Sequence, residues 1–482
     1  LGIVTDYVVF YLSSARTKML GGESRLDAAR RATAETTPIV LAAGAILATG
    51  LAALEVARVR AFQELGPGLA LAVAVAVAVA VTLVPAALAI FGRMLFWPRI
   101  PANEHLREWE AARAAPRNWT ARLIAHRSVA VLVGAACVAG LGLAAVQLGG
   151  TRLGVTAISG LPAQAQERVA ATAAGQGFQP GMLAPTQVIV TGRGVAADDA
   201  GLAALAAELG RQPGIAAVVG PADVPFEHGL GVLTSPSGNA ARFVVAYGSD
   251  PYGATAIDQS RTLRSQLPAL AAQAGLRGVR TTVAGDTIVA ADTVTAVRSD
   301  LVRVVVAVLA INLLLLMVFL RAVIAPVLLV AASALSVAAA LGITSVVFQK
   351  LLGHHELTYY VPFAAGVLLV SLGSDYNVFV AGRIWQEARV RPLRDALRIA
   401  PARTTAAIRT AGITLASSFG LLAIVDVRAF RELAFAMAVG ILLETFVVRP
   451  LLVPSLLSLV GEAGGWPGGH LARGRRLAAD GD

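Results

Sequence analysis

Ser374-Asp375-Tyr376-Asn377-Val378-Phe379 lies inside residues 357–382, a stretch apolar and long enough to cross a bilayer. Near the other end of the chain, Thr5-Asp6-Tyr7-Val8-Val9-Phe10 carries the same Asp-Tyr-x-x-Phe pattern in a similar apolar setting. A carboxylate placed in the middle of a membrane helix costs about 2.5–3.5 kcal/mol on insertion scales, so a chain that keeps one has a use for it. Keeping two in matched surroundings makes Asp6 and Asp375 the first functional candidates of this sequence.

The composition agrees with a membrane protein. Hydrophobic residues make up 56% of the chain, charged residues only 15%, and the mean hydropathy is +0.69, which excludes an ordinary soluble enzyme. A net charge of +10 could mean a nucleic-acid partner, but the arginines fall in clusters between apolar spans: Arg16 to Arg31, Arg93 to Arg127, Arg383 to Arg409, and a C-terminal group of Arg473, Arg475 and Arg476. That distribution is the positive-inside pattern of cytoplasmic loops, so the charge reports topology and no nucleic acid is expected. Cys137 is the only cysteine, which rules out an intrachain disulfide.

The pattern predicts a polytopic α-helical protein of the cell membrane. Residues 1–92 read as the end of a first transmembrane half, with a helix tail at 1–15 and spans at 38–57 and 66–91. The Ala/Val alternation from Leu71 to Val81 resembles a strand, but its apolar length favours a helix. Residues 93–127, with Trp97, Trp109 and Trp119 among basic residues, read as a cytoplasmic, interface-hugging linker. Residues 128–148 are the first helix of a second half. Residues 149–298 read as an external α+β domain in the order β-α-β-β-α-β, the split βαβ of ferredoxin-like folds: strands 187–191, 215–219, 242–247 and 280–283, helices 200–209 and 256–274. Five further spans (301–320, 322–348, 357–382, 406–426, 432–460) fill residues 299–461, and 462–482 form a cytoplasmic tail. Alternating sides put 149–298 outside and every arginine cluster inside.

The two halves repeat each other in order. Asp27-Ala28-Ala29-Arg30 matches Asp395-Ala396-Leu397-Arg398, Thr36-Thr37 matches Thr404-Thr405, and Ala43-Gly44 matches Ala411-Gly412. Val59-Arg60-Ala61-Phe62 with Glu64-Leu65 matches Val427-Arg428-Ala429-Phe430 with Glu432-Leu433, and Trp97-Pro98 matches Trp466-Pro467. Such parallel repeats are a common transporter design. The second copy has a helix, an external domain and two spans before its Asp-Tyr helix, so the repeat predicts equivalent segments upstream of Leu1.

These motifs carry a resemblance. The Asp-Tyr-x-x-Phe helix of each half, the Arg-Ala-Phe-x-Glu-Leu turn, the run from Glu444 to Pro454 (Glu-Thr-Phe-Val-Val-Arg-Pro-Leu-Leu-Val-Pro), and a large domain after the first helix of a half resemble MMPL-type transporters, the lipid-exporting branch of the RND superfamily known best from actinobacteria. The resemblance implies RND-type parallel repeats with an extracytoplasmic porter domain, and export of lipidic or other hydrophobic molecules driven by protons. It implies a proton relay of Asp6, Tyr7, Asp375 and Tyr376, with membrane lipids or a lipidic substrate and protons as partners and a homo-oligomer or accessory proteins left open. Glu444 has only Val near its counterpart position in the first half, which sets it outside a symmetric relay.

Adjacent residues on a helix point about 100° apart, so Asp and Tyr of one motif cannot easily pair with each other. Crossed pairing between two helices solves this: Asp6 with Tyr376, and Asp375 with Tyr7. Burial disfavours an ionised carboxyl and a tyrosine hydrogen bond favours it, a balance suited to taking up and releasing protons. Small residues four positions before each Asp, Gly2 and Ser371, allow close helix approach. Thr49, Ser417 and Ser418 are candidates to hydrogen-bond the carboxyls, against the alternative that they bond their own helices. Glu64 and Glu432 read as helix-start or ion-pair residues at the outer surface. His354-His355-Glu356 lacks the i, i+4 spacing of a helical metal site and reads as a solvated loop, and Gly192-Arg193-Gly194 reads as a turn. Neither a metal, a cofactor nor an enzymatic nucleophile is expected. Two rival readings keep the fold: a non-transporting membrane scaffold or sensor, and a protein-export accessory subunit.

Overall fold

The computed structural model describes residues 2–96, 127–224, 231–388 and 408–467; side chains at 2–6 and 374–380, and singly at 20, 93, 127, 383, 386 and 387, lie outside that description. The tryptophan-bearing linker, most of the third arginine cluster and the C-terminal arginines therefore fall outside the described residues.

Among the described residues, six helices are long and apolar enough to cross a membrane. The chain begins with α1 (Gly2–Leu20), α2 (Arg25–Ala52) and α3 (Arg60–Phe91). Ser24 caps α2, its hydroxyl accepting from the Asp27 amide at 3.2 Å, and Asp27 adds a negative charge to the first turn. The Ala/Val run is helical, as its length required: Val73, Val77, Ala80 and Val84 are buried, Val77 against Gly44 of α2, while Leu71, Val75, Val79 and Leu83 stay exposed as a lipid-facing stripe. After the residues that are not described comes α4 (Arg127–Val146).

Residues 149–298 leave the bundle through a short strand, β1 (Leu153–Gly154), and a helix, α5 (Gln166–Gly177). Then come β2 (Thr186–Thr191), α6 (Asp199–Gly210), β3 (Ile215–Val219), β4 (Ala240–Tyr247), α7 (Ala254–Gln273) and β5 (Arg280–Ala284). The four strands form one antiparallel sheet in the order β3-β4-β2-β5. Alternation along β2 sends Val188 and Val190 inward with Phe243 and Val245 of β4, against Leu202, Leu205 and Leu209 of α6 and Leu263 and Leu267 of α7.

The return to the bundle departs from the expected boundary. A span was expected from 301, but one uninterrupted helix, α8 (Asp286–Leu320, 35 residues), starts at the edge of the sheet and runs into the bundle over roughly 50 Å. Its first turns look soluble because they pack on α7 and the sheet, so their polarity hid the continuity. α9 (Ile324–Ser345) follows and ends in a π-helical turn, Val346–Leu351. β6 (Leu357–Thr358) pairs in parallel with β1, Leu153 opposite Leu357, and ties the exit from α4 to the entry of α10 (Val361–Ala388). The last elements are α11 (Ile408–Ile424), α12 (Arg428–Leu443), a nine-residue π-helix (Glu444–Leu452) and α13 (Val453–Val460).

Candidate functional site

The Asp-Tyr motifs sit on α1 and α10. Both helices pack against α2, and α10 also packs against α8, α9 and α12. Tyr7 is 1% exposed, inside the main core. One turn on, the Tyr11 hydroxyl lies 2.7 Å from Thr37 Oγ1 of α2, which fixes the rotation of α1. The side chains of Asp6, Asp375 and Tyr376 lie outside the described residues, so the crossed pairing stays an expectation; their backbone positions in α1 and α10 are described.

Close approach of α10 to its neighbours is explicit. Ser371 is fully buried, and a Cβ added at Gly50 of α2 would lie 3.1 Å from its hydroxyl oxygen. Gly373, two residues before Asp375, leaves room for Glu444: a Cβ there would lie 3.5 Å from a Glu444 carboxyl oxygen. Glu444 is buried, faced by Ser333 and Ser336 of α9, and its Oε2 lies 3.9 Å from Nε of buried Arg449. The π-helix explains that pairing. With i→i+5 hydrogen bonding, residues five apart stack along one face, which an ordinary α-helix would not allow. Sequence reasoning set Glu444 aside for lack of a symmetric partner. The signal that would have placed it is a Glu and an Arg five apart in an otherwise apolar helix.

Two of the three hydroxyls expected to support the carboxyls bond their own helices. Thr49 donates to the carbonyls of Ala45 (2.6 Å) and Ile46 (3.1 Å), and Ser418 donates to that of Thr414 (2.9 Å), all on their own helices. Ser417 is exposed. Asn312 is fully buried in α8, the helix that packs against α10.

A second constellation joins the bundle to residues 149–298. Arg428, at the start of α12, donates from Nε to Glu432 (2.9 Å), from its guanidinium to the Glu356 carbonyl, and from its amide to the Gly160 carbonyl (2.9 Å). Glu432 also accepts from the Thr358 amide at 2.8 Å. Glu356 is 8% exposed, with a carboxyl oxygen 3.8 Å from Arg428, so the expectation of a solvated loop is corrected for this residue, while His355 and residues 351–353 are exposed. Glu432 is fully buried, correcting its expected place at the surface; the strand pairing β1–β6 lies over it. Across the bundle, Asp300 of α8 is fully buried and accepts from the amides of Arg58 and Val59, each at 2.8 Å, at the turn that starts α3.

Comparison with known proteins adds the family. The MMPL family pattern matches residues 1–131 and 159–479. The chain belongs to the MMPL family. It is 27% identical over 97% of its length to the apo-petrobactin exporter of Bacillus anthracis, of which it covers 62%. It is 33% identical over 48% of its length to the sulfolipid-1 exporter MmpL8 of Mycobacterium tuberculosis, of which it covers 21%. Among solved structures, SecDF of Thermus thermophilus, a translocon-associated membrane protein, superposes over 95% of this chain and 53% of its own with a TM-score of 0.54 at 17% identity, a likeness of fold. The chain spans between 53% and 64% of the length of the curated relatives that it matches over nearly its whole extent. Family and apolar helices together make this MMPL chain a multi-pass protein of the plasma membrane.

Proposed function

We propose that this MMPL chain forms part of a transporter, and not an enzyme, that exports lipids or other hydrophobic molecules at the expense of the proton-motive force. Protons move through Asp6, Tyr7, Asp375 and Tyr376. The single observation that carries the reading is the pair of Asp-Tyr motifs on two core helices that share α2 as a packing partner. Each proton moved inward releases about 2.3 kcal/mol per 100 mV of membrane potential. The apo-petrobactin exporter and the sulfolipid-1 exporter MmpL8 both support the direction, and the second supports a lipidic cargo.

In this reading residues 149–298 are a ferredoxin-like porter domain on the extracytoplasmic side, supported by the strand order β3-β4-β2-β5 and the βαββαβ succession. Residues 1–92 are the end of the first transmembrane half, 128–148 and 299–461 make the second, and 93–127 and 462–482 are cytoplasmic. Thr49 and Ser418 would support the carboxyls only by giving up their own-helix bonds, as Ser417 would by turning inward.

Proton flux into proteoliposomes, read by a trapped pH dye under an imposed potential, tests the relay. Asp6→Asn and Asp375→Asn should each remove most of the flux with the fold intact. Wild-type flux in both variants would sink the relay and leave the scaffold reading in its place.

A further inference from the structure

A cavity of about 760 Å³ opens where the bundle meets residues 149–298, between the loop after α9, the start of α12, α5 and the β4–α7 turn. Its charged groups are mostly spoken for. Arg428 is held by Glu432 and Glu356 and Arg431 pairs with Asp426, while Asp250 has no cationic partner among the described residues and accepts from the Tyr252 amide at 3.0 Å. Among the described residues Arg168 is the arginine of the lining without a carboxylate partner, and its guanidinium donates to the Leu161 carbonyl at 2.6 Å, leaving further N–H groups unused. Two more lining atoms, Ser249 Oγ and His354 Nδ1, are buried and lack a hydrogen-bond partner. Buried polar atoms without partners are uncommon, and two of them beside a guanidinium with unused N–H groups ask for a ligand.

We propose that this cavity is an oxyanion site, binding the phosphate, sulfate or carboxylate head group of an amphiphile, with Arg168 as the charge and Ser249 and His354 as hydrogen-bond partners. A guanidinium fork with free N–H groups matches an oxyanion, and a hydroxyl can turn its proton towards one. Burial first, and the Arg428 charge second, push the His354 imidazole below its ordinary pKa. It is therefore neutral at neutral pH and offers one N–H without adding charge. Phe348 and Leu161 supply apolar wall beside these groups, suited to the first carbons of a chain. The cavity stands where α9 ends and α12 begins, which in the exporter reading is the level of the lipid head groups. The source of the oxyanion, a lipid head group, rests on the exporter reading above; the anion chemistry does not.

The test is binding of octyl phosphate, octyl glucoside and inorganic phosphate to the purified chain in nanodiscs, by calorimetry. Octyl phosphate should bind, Arg168→Gln should weaken it by about tenfold or more, and Arg168→Lys should restore part of the loss. Arg264→Gln, which breaks an exposed pair with Asp292 elsewhere on α7, should change nothing. Inorganic phosphate binding as tightly as octyl phosphate, with the same dependence on Arg168, would keep the oxyanion site and overturn its lipid source. Equal affinity for octyl glucoside, indifference to Arg168→Gln, or equal damage from the Lys and Gln variants would overturn the site. Proton flux in the same variants separates the two readings, since loss of binding with flux retained counts against this site alone.

Discussion

The same seven-residue phrase, Val-Arg-Ala-Phe-x-Glu-Leu, starts α3 at Val59 and α12 at Val427, and the two copies do different work. In the first, Arg60 and Glu64 lie 3.6 Å apart with side chains 90% and 73% exposed. In the second, Arg428 and Glu432 lie 2.9 Å apart with 14% and 0% exposed, and between them they hold Gly160, Glu356 and Thr358. The first copy fastens its turn through the backbone, with Asp300 accepting from two successive amides. Its Phe62 stacks on Phe363 at 4.0 Å, while the matching Phe430 is exposed. A repeat thus preserves the helix start and leaves the use of its charges to whatever packs on it. Around Arg428 that is the loop at Gly160, from residues 149–298, and the 356–358 segment that pairs with β1, which turns a helix-start ion pair into a joint between the bundle and residues 149–298.

The contrast makes its largest prediction at the buried acid. Glu432→Ala leaves Arg428 buried with half its partners and strips the Thr358 amide, and should cost about 3–5 kcal/mol of unfolding free energy in detergent; Glu64→Ala should stay within about 0.5 kcal/mol. Equal losses would erase the distinction between the copies. Asp300→Ala comes next, since it takes the acceptor from two part-buried amides, at about 1 kcal/mol each, and it should loosen hydrogen-exchange protection at Arg58 and Val59 specifically. Protection unchanged there would mean that the turn is held by other contacts.

How much of this was legible beforehand depended on whether the signal was local. The strands of 149–298 were readable to within about two residues because β2 and β4 alternate cleanly and Gly and Pro punctuate the turns. The Ala/Val run was readable by length. The early start of α8 was not, because a helix that packs on a soluble domain is written in polar residues like any surface helix. Nor was the burial of Glu356 and Glu432: an exposed and a buried Arg-Glu pair at i, i+4 have the same letters, and the difference is made by β6 arriving from more than seventy residues away. Asp6, Tyr7, Asp375 and Tyr376 are proposed through duplication, a signal internal to the chain. Glu444 escaped because duplication was the criterion and it has no twin.

A smaller effect separates the joint from the rest of the surface by pH. The His354 pKa is held below its ordinary 6.5 by burial and by Arg428, so the unfolded chain binds the proton more readily than the folded one. Stability should therefore fall as pH drops from about 6.5 through the lowered value, by a fraction of the wild-type stability that His354→Gln removes. A variant with the same acid sensitivity as the wild type would place the titrating group elsewhere.

The most direct measurement of the central claim is a double-substitution cycle on proton flux with Asp375→Asn and Tyr7→Phe. If the two residues form one crossed link of the relay, each single variant loses flux and the double variant is little worse than the more damaged single one. Independent losses that multiply would contradict the link, and flux undiminished in Asp375→Asn would contradict the relay itself.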